Sequence, residues 1–144
     1  MTDSQYNFYS KLFKIAAIYN LIWGALNIIF PKLLFDLISM DYPFYIPFWQ
    51  AIGMFVMVYA PAYWWAGKYP KKYPHFIVIG FIGKLCGPIG LAWGAIEGTL
   101  PISFGWTVIF NDAIWLIPFA TYLKLSIKNA GGLSNFIKGE TEVI

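Results

Sequence analysis

The chain has 144 residues, of which 59% are hydrophobic and only 12% charged, about half the charged share of an ordinary soluble domain. A soluble core of this size cannot hide so much apolar surface, so lipid must cover the rest. Ten lysines and no arginine give a net charge of +3, which leaves no Arg-rich face for nucleic acid. Cys86 and His75 are each the only residue of their kind. That excludes an internal disulfide, a CxxC pair, a Cys/His nucleophile and a His-based metal cluster. No metal or cofactor is expected in this chain.

Four windows reach the roughly 20 apolar residues that a membrane span needs. The expected fold is therefore an all-α integral membrane bundle of four transmembrane helices, one domain over residues 1–144, with spans at 12–30, 48–66, 76–96 and 106–125. The first window is too long for a signal peptide, and no small-x-small cleavage site follows it before Pro31. Residues 31–47 open with a proline suited to a first helical turn and set Leu33, Leu34, Leu37 and Ile38 opposite Lys32, Asp36 and Ser39. This predicts a short interfacial helix on the outer surface. Residues 67–75, which carry His75, read as a cytoplasmic turn and 97–105 as an outer hairpin. After Gly131-Gly132 the tail 133–144 is expected to fray.

Polar residues inside the spans are the informative ones, because at bilayer depth each is costly unless paired or hydrated. The first span carries Asn20, Trp23, Gly24 and Asn27 on one face, a pattern suited to interhelical hydrogen bonding. The second has a weaker stripe of Gln50, Gly53, Met57 and Pro61. In the third, Gly80, Gly83, Gly87, Gly90 and Gly94 recur at spacings of 3 and 4, a stripe that predicts close helix packing or a homodimer seam. Pro88 predicts a kink there, and Lys84 stands on or beside the glycine face. The fourth span holds Asn111, Asp112, Trp115, Pro118 and Tyr122 along one broad face. Asp112 is its one carboxylate. Two readings stand for it: a clamp between helices, or a ligand, proton or ion site.

With those boundaries, Asp112 lies ~9 Å below the outer edge, near the level of Asn27, and Lys84 ~12 Å above the inner edge, level with Asn20. Side chains lean toward their own helix N-terminus, which sends the two charges apart. The expectation is thus an outer polar mouth of Asn27, Gln50, Glu97, Asn111 and Asp112, with Trp115 beside it and Lys84 separate below. Glu97 opposes the dipole at its helix C-terminus and calls for a partner or a role.

The runs GKLCGPIG at 83–90, GTLP at 98–101 and FNDAIWLIPF at 110–119 resemble a group of small bacterial membrane proteins related to the DoxX-like four-helix proteins. The resemblance extends from about Tyr19 to Leu123. It implies a bacterial inner-membrane location and a link to quinone-coupled redox complexes, but carries no catalytic residue over. Three functions follow as expectations: a binding or accessory component holding a lipid, quinone or partner subunit; a quinone-linked oxidoreductase component; and a proton-linked or small-solute transporter working as an oligomer.

Lysine placement sets the orientation. Lys11, Lys14, Lys68, Lys71, Lys72, Lys124, Lys128 and Lys138 fall on one side and Lys32 on the other, which predicts both termini in the cytoplasm. Cysteine-accessibility labelling should find residues 67–75 inside and 97–105 outside; outside labelling at position 71 would reverse the assignment.

Overall fold

The first helix starts where its capping chemistry dictates. Thr2 and Gln5 form a reciprocal pair, Gln5 N–H donating to Thr2 Oγ1 and Thr2 N–H to Gln5 Oε1. Together they satisfy two of the amide donors that a helix start leaves open. From there α1 (Asp3–Ile29) runs 27 residues, ~40 Å and longer than a ~30 Å hydrocarbon core. It begins well before the expected Leu12 because Tyr6 and Tyr9 continue the buried face. In the computed structural model, which describes residues 1–139, α2 (Leu33–Leu37), α3 (Ile46–Lys68) and α4 (Pro74–Ile96) follow. Proline occupies the first turn of both α3 and α4, where its missing N–H is harmless. The fourth span, Ile102–Asn129, is composite. A 3₁₀ turn at Ile102–Phe104 leads into α5 (Gly105–Val108), a π-turn at Ile109–Ala113 and α6 (Ile114–Asn129). A short α7 (Leu133–Ile137) closes the described chain.

The bundle is all-α, with four helices long and apolar enough to cross a membrane. Large apolar side chains project outward from every span, among them Ile15, Phe55, Ile89 and Ile117, all more than half exposed. A bilayer covers such a surface; water does not.

Two kinds of seam hold the spans together. Between α1 and α3 the residues are small. A Cβ on Gly24 would collide with the Gly53 carbonyl and the Met57 side chain, and one on Gly67 would meet Lys14 and the Ser10 carbonyl. Ser10 Oγ donates to the Gly67 carbonyl, Asn20 Nδ2 to the Val56 carbonyl (3.3 Å) and Gln50 Nε2 to the Ile28 carbonyl (2.8 Å). The backbones thus approach closely and gain dispersion contacts along their length. Between α1 and α6 the seam is aromatic: Phe13 meets Tyr122 and Phe119 edge-on at ring separations of 4.7 and 5.5 Å, and Tyr9 packs on Tyr122 at 5.0 Å.

The glycine stripe of α4 works differently from expectation. It makes room for side chains, not for a second backbone. Gly80 faces the Tyr63 ring, Gly83 the Tyr59 ring, Gly87 the Asp112 carboxylate and Gly94 the Leu100 side chain, while Gly90 opens onto nothing. The stripe expected in the second span is also turned. Pro61 is exposed, and the buried face of α3 is Trp49, Gly53, Ala60, Tyr63, Ala66 and Gly67.

Both ends of the bundle are better ordered than the sequence suggests. At the Lys32 end, α2 buries Phe35, a residue outside the apolar set expected there, while Leu33 and Leu37 are exposed. Phe35 packs on Trp49 (5.0 Å between rings). Tyr42 donates to Asp36 Oδ1 at 2.6 Å, and that bond to a carboxylate holds its hydroxyl above the ordinary tyrosine range. At the lysine-rich end, Leu133–Ile137 of the expected tail form a helix. Gly131 and Gly132 take positive φ, and the reversed chain docks α7 with Phe136 buried and stacked on His75 (4.6 Å). His75 belongs to the first turn of α4, and its Nε2 lies 2.7 Å from the Phe136 carbonyl. Residues 140–144 of the expected tail lie outside the described residues.

Gly53→Leu forces overpacking into a backbone contact and should destabilise by about 1–3 kcal/mol. Gly90→Leu fills open space and should leave the melting temperature in detergent unchanged. Equal losses from the two would contradict the seam assignment.

Candidate functional site at the bundle centre

One polar cluster lies where all four spans meet. α1 supplies Asn20, α3 supplies Val56, Tyr59 and Tyr63, α4 supplies Gly80, Gly83 and Lys84, and the π-turn supplies Asn111 and Asp112. These residues surround a recess of about 80 Å³. Lys84 Nζ lies 3.5 Å from Asp112 Oδ1 and donates to the Asn111 carbonyl at 2.5 Å. It also reaches Asn20 Oδ1 and Asn111 Oδ1, each at 3.4 Å. Asn111 Nδ2 donates to Asp112 Oδ1 at 2.9 Å. Lys84 is 4% exposed, Asn111 7% and Asp112 9%.

The π-turn carries part of this geometry. The N–H of Ile114 bonds to the carbonyl of Ile109, five residues back. Asn111 and Asp112 both line the recess and both belong to this wider turn, a device that recurs at functional sites. Gly87 completes the seat, since any Cβ there would overlap the Asp112 carboxylate.

The pairing of Lys84 with Asp112 corrects the expectation that the two charges diverge. The fourth span starts at Ile102, four residues before the expected boundary, and this sets Asp112 ~6 Å deeper. Lys84 stands ~18 Å from the Ile96 end of α4, and Asp112 ~15 Å from the Ile102 end of its span. They share a level near mid-bilayer, and the long lysine stem spans the remaining gap.

The outer polar mouth is not formed. Asn27 Nδ2 turns back to the Trp23 carbonyl of its own helix (2.7 Å). Gln50 clamps α3 to α1, and Glu97 is exposed at the end of α4. Trp115 is buried beside Tyr19 (5.5 Å between rings), with its indole N–H unpartnered, and does not line the recess. The level match of Lys84 with Asn20 holds. Sequence reasoning missed Tyr59 and Tyr63; Tyr59, near the middle of α3, is a usable signal because tyrosines concentrate at the interfaces, whereas Tyr63 stands close to the Trp64-Trp65 end.

Aromatic layers close the recess toward both ends of the bundle. On the lysine-rich side stand Phe13, Tyr63, Phe119 and Tyr122, with Tyr63 packed on Phe119 at 5.3 Å. On the other side Trp49 gathers Trp23, Phe35 and Phe104 at ring separations of 5.9, 5.0 and 6.2 Å. Half-buried residues at the recess, namely Val56, Tyr59 and Gly83, all belong to α3 and α4.

No protein-family model, curated protein or solved structure matches the chain. The chemistry must therefore be read from the cluster itself. Lys84 offers a charged donor, Asp112 and the two asparagines offer acceptors, and a small volume lies between them. Among the described residues no three His, Cys, Asp or Glu side chains gather as a metal set.

Removing one charge strands the other in a dry centre, so Lys84→Met and Asp112→Leu should each destabilise by about 3–5 kcal/mol. The double variant Lys84→Met/Asp112→Leu leaves no unpaired charge and should recover most of that loss. A double-mutant cycle of unfolding in detergent measures the coupling, and strict additivity would show that the pair does not interact.

Proposed function

We propose that this protein is a binding or accessory component of the bacterial inner membrane, with both termini in the cytoplasm, whose working centre is the Lys84–Asp112 cluster. The observation that carries this reading is an ion pair held at mid-bilayer, beside a polar recess to which every span contributes. A buried pair is a poor source of stability compared with apolar packing of equal volume, and ionisable groups within spans are characteristically functional. Three of the four contacts to Lys84 Nζ are 3.4–3.5 Å long, beyond the ~2.7–2.9 Å of a tight charge-assisted bond. The ammonium is held loosely enough to exchange one of these acceptors for an incoming group. The lysine bias between the two ends of the bundle supports the orientation.

The recess is much smaller than the roughly 300–1,000 Å³ of pockets that enclose a whole small molecule. It suits the polar tip of a lipid or quinone, or a side chain of a partner subunit, with the remainder outside the bundle. The DoxX-like, quinone-linked reading stands as a second proposal, supported by the four-span architecture and by a centre able to hydrogen-bond a carbonyl. Cys86, facing outward from α4, has no second thiol with which to support redox work. An oligomeric transporter is less well supported, since aromatic layers separate the recess from both ends of the bundle.

Lys84→Met/Asp112→Leu removes both charges and leaves neither unpaired. It should fold, yet lose most of the lipid, quinone or partner that the wild type retains in native mass spectrometry from mild detergent, by about tenfold or more. Retention equal to wild type in this double variant would reduce the cluster to a helix clamp and end this reading.

A further inference from the structure

The three possible ways into the centre are not equivalent, and their differences define what can bind. Toward the lysine-rich end, Phe13, Phe119 and Tyr122 are wholly buried, and Tyr122 is tied by its hydroxyl to the Pro70 carbonyl. Toward the opposite end stand Trp49 and its ring partners, drawn from α1, α2, α3 and the fourth span. Laterally, the α1–α3 side is shut by the Gly24–Gly53 contact, the α1–α6 side by the Phe13–Tyr122–Phe119 stack, and the side between α4 and the fourth span by the Asp112 carboxylate seated against Gly87. The α3–α4 side differs. Here the wall is Val56, Tyr59 and Gly83, each half-buried, and Gly83 presents no side chain at all. The Tyr59 ring lies across it, its hydroxyl 3.0 Å from where a Cβ on Gly83 would stand.

We infer that the gap between α3 and α4 at Tyr59 and Gly83 is a lateral portal, through which a single-chain amphiphile dissolved in the membrane inserts a small hydrogen-bond-accepting head to meet Lys84. This inference rests on the reading of the Lys84–Asp112 cluster as a binding centre and specifies its ligand class.

Three constraints set that class. The route passes through hydrocarbon, so the ligand must partition into the bilayer; a water-soluble anion has no path. A recess of about 80 Å³ admits a head of only a few heavy atoms, so a phosphodiester head group is too large. Lys84 Nζ is the charged donor that lines the recess, and Asp112 Oδ1 opposite it is already engaged by Lys84 and Asn111, so the head assigned is an acceptor: a carboxylate or a ring carbonyl, not an amine. Fatty acids and quinones share that chemistry. A carboxyl head crosses the hydrocarbon in its neutral, protonated form; as Lys84 turns to it, its proton passes to Asp112, so no charge is left unpaired and the 3.5 Å pair is the contact that yields. Tyr59 is a positioning residue in this scheme, covering the opening, and a Cβ at Gly83 across the gap would press on its ring at 3.0–3.4 Å.

The experiment uses the full chain in mild detergent, with oleate and a decyl-tailed benzoquinone as acceptor-headed probes, dodecylamine as a donor-headed one and acetate as a water-soluble acceptor. Binding is read by native mass spectrometry and by the shift in melting temperature. Wild type and Gly90→Leu should bind oleate, the quinone or both, and neither dodecylamine nor acetate. Gly83→Leu, which fills the portal without touching the ion pair, should weaken binding by about tenfold or more. Val56→Trp blocks the same opening from α3 and serves if Gly83→Leu fails to fold. Tyr59→Ala should speed association. Undiminished binding in the folded blocking variant, or acetate binding as tightly as oleate, overturns the portal. Binding lost in the Lys84→Met/Asp112→Leu double variant but kept in the portal variants removes the portal and leaves the centre standing. Binding kept in all of them removes both, and binding of dodecylamine in place of the acceptors overturns the ligand class.

Discussion

The structure is organised around one constraint, an ammonium and a carboxylate held 3.5 Å apart near the middle of a bundle whose outer surface is hydrocarbon. Neither charge can be left alone at that depth, and neither can move to an interface without unwinding its helix. The rest of the centre follows from satisfying them. Asn111 contributes both its carbonyl and its side chain, Asn20 reaches across from α1, and two neighbouring polar residues of the π-turn both line the recess. Gly87 is there because the carboxylate needs the volume that a side chain would occupy.

Packing around the centre divides the labour between two kinds of contact. Small residues draw α1 and α3 together until backbone carbonyls sit against Cα positions, and in lipid such dispersion contacts replace a hydrophobic driving force that is absent between helices. Aromatic rings fill the wider space between α1 and α6 and, as layers above and below, keep the polar cluster dry. Dryness strengthens the ion pair and raises the penalty for breaking it, since both scale inversely with the local dielectric. The gap between α3 and α4 lies outside both arrangements, and it is where the centre comes nearest to the membrane phase.

Much of the candidate site was legible as single residues, and little of it as an arrangement. Lys84, Asn111 and Asp112 stand out in any reading of the spans because ionisable and amide groups are expensive in hydrocarbon. Asn20 was correctly levelled with Lys84. The outer mouth failed for a geometric reason. Hydropathy blurs a span's start by about a turn, and one turn is ~5.4 Å, enough to move Asp112 from the level of Asn27 to that of Lys84. Asn27 and Gln50 were then free to satisfy backbone carbonyls close by, as isolated amides in a bundle readily do. The Gly131-Gly132 pair looks like a terminus of order, whereas in the described part of the tail their positive φ values turn the chain back and let Phe136 bury itself on His75.

Composition and its arrangement in four apolar windows determined that this chain forms four apolar helices: with 59% hydrophobic and 12% charged residues, each backbone amide must find its partner within its own segment, and the α-helix is the way to do that in lipid. The glycine spacing determined that one face of α4 would be close to something. What it is close to was decided only in three dimensions. Whether a glycine meets a backbone, a tyrosine ring, a carboxylate or open lipid depends on the rotation and depth of the neighbouring helix, and a local pattern holds no information on either. The same is true of the Lys84–Asp112 pair. Its two members are separated by a hairpin in the chain, and they meet because a span begins one turn early and the long lysine stem closes the rest of the gap.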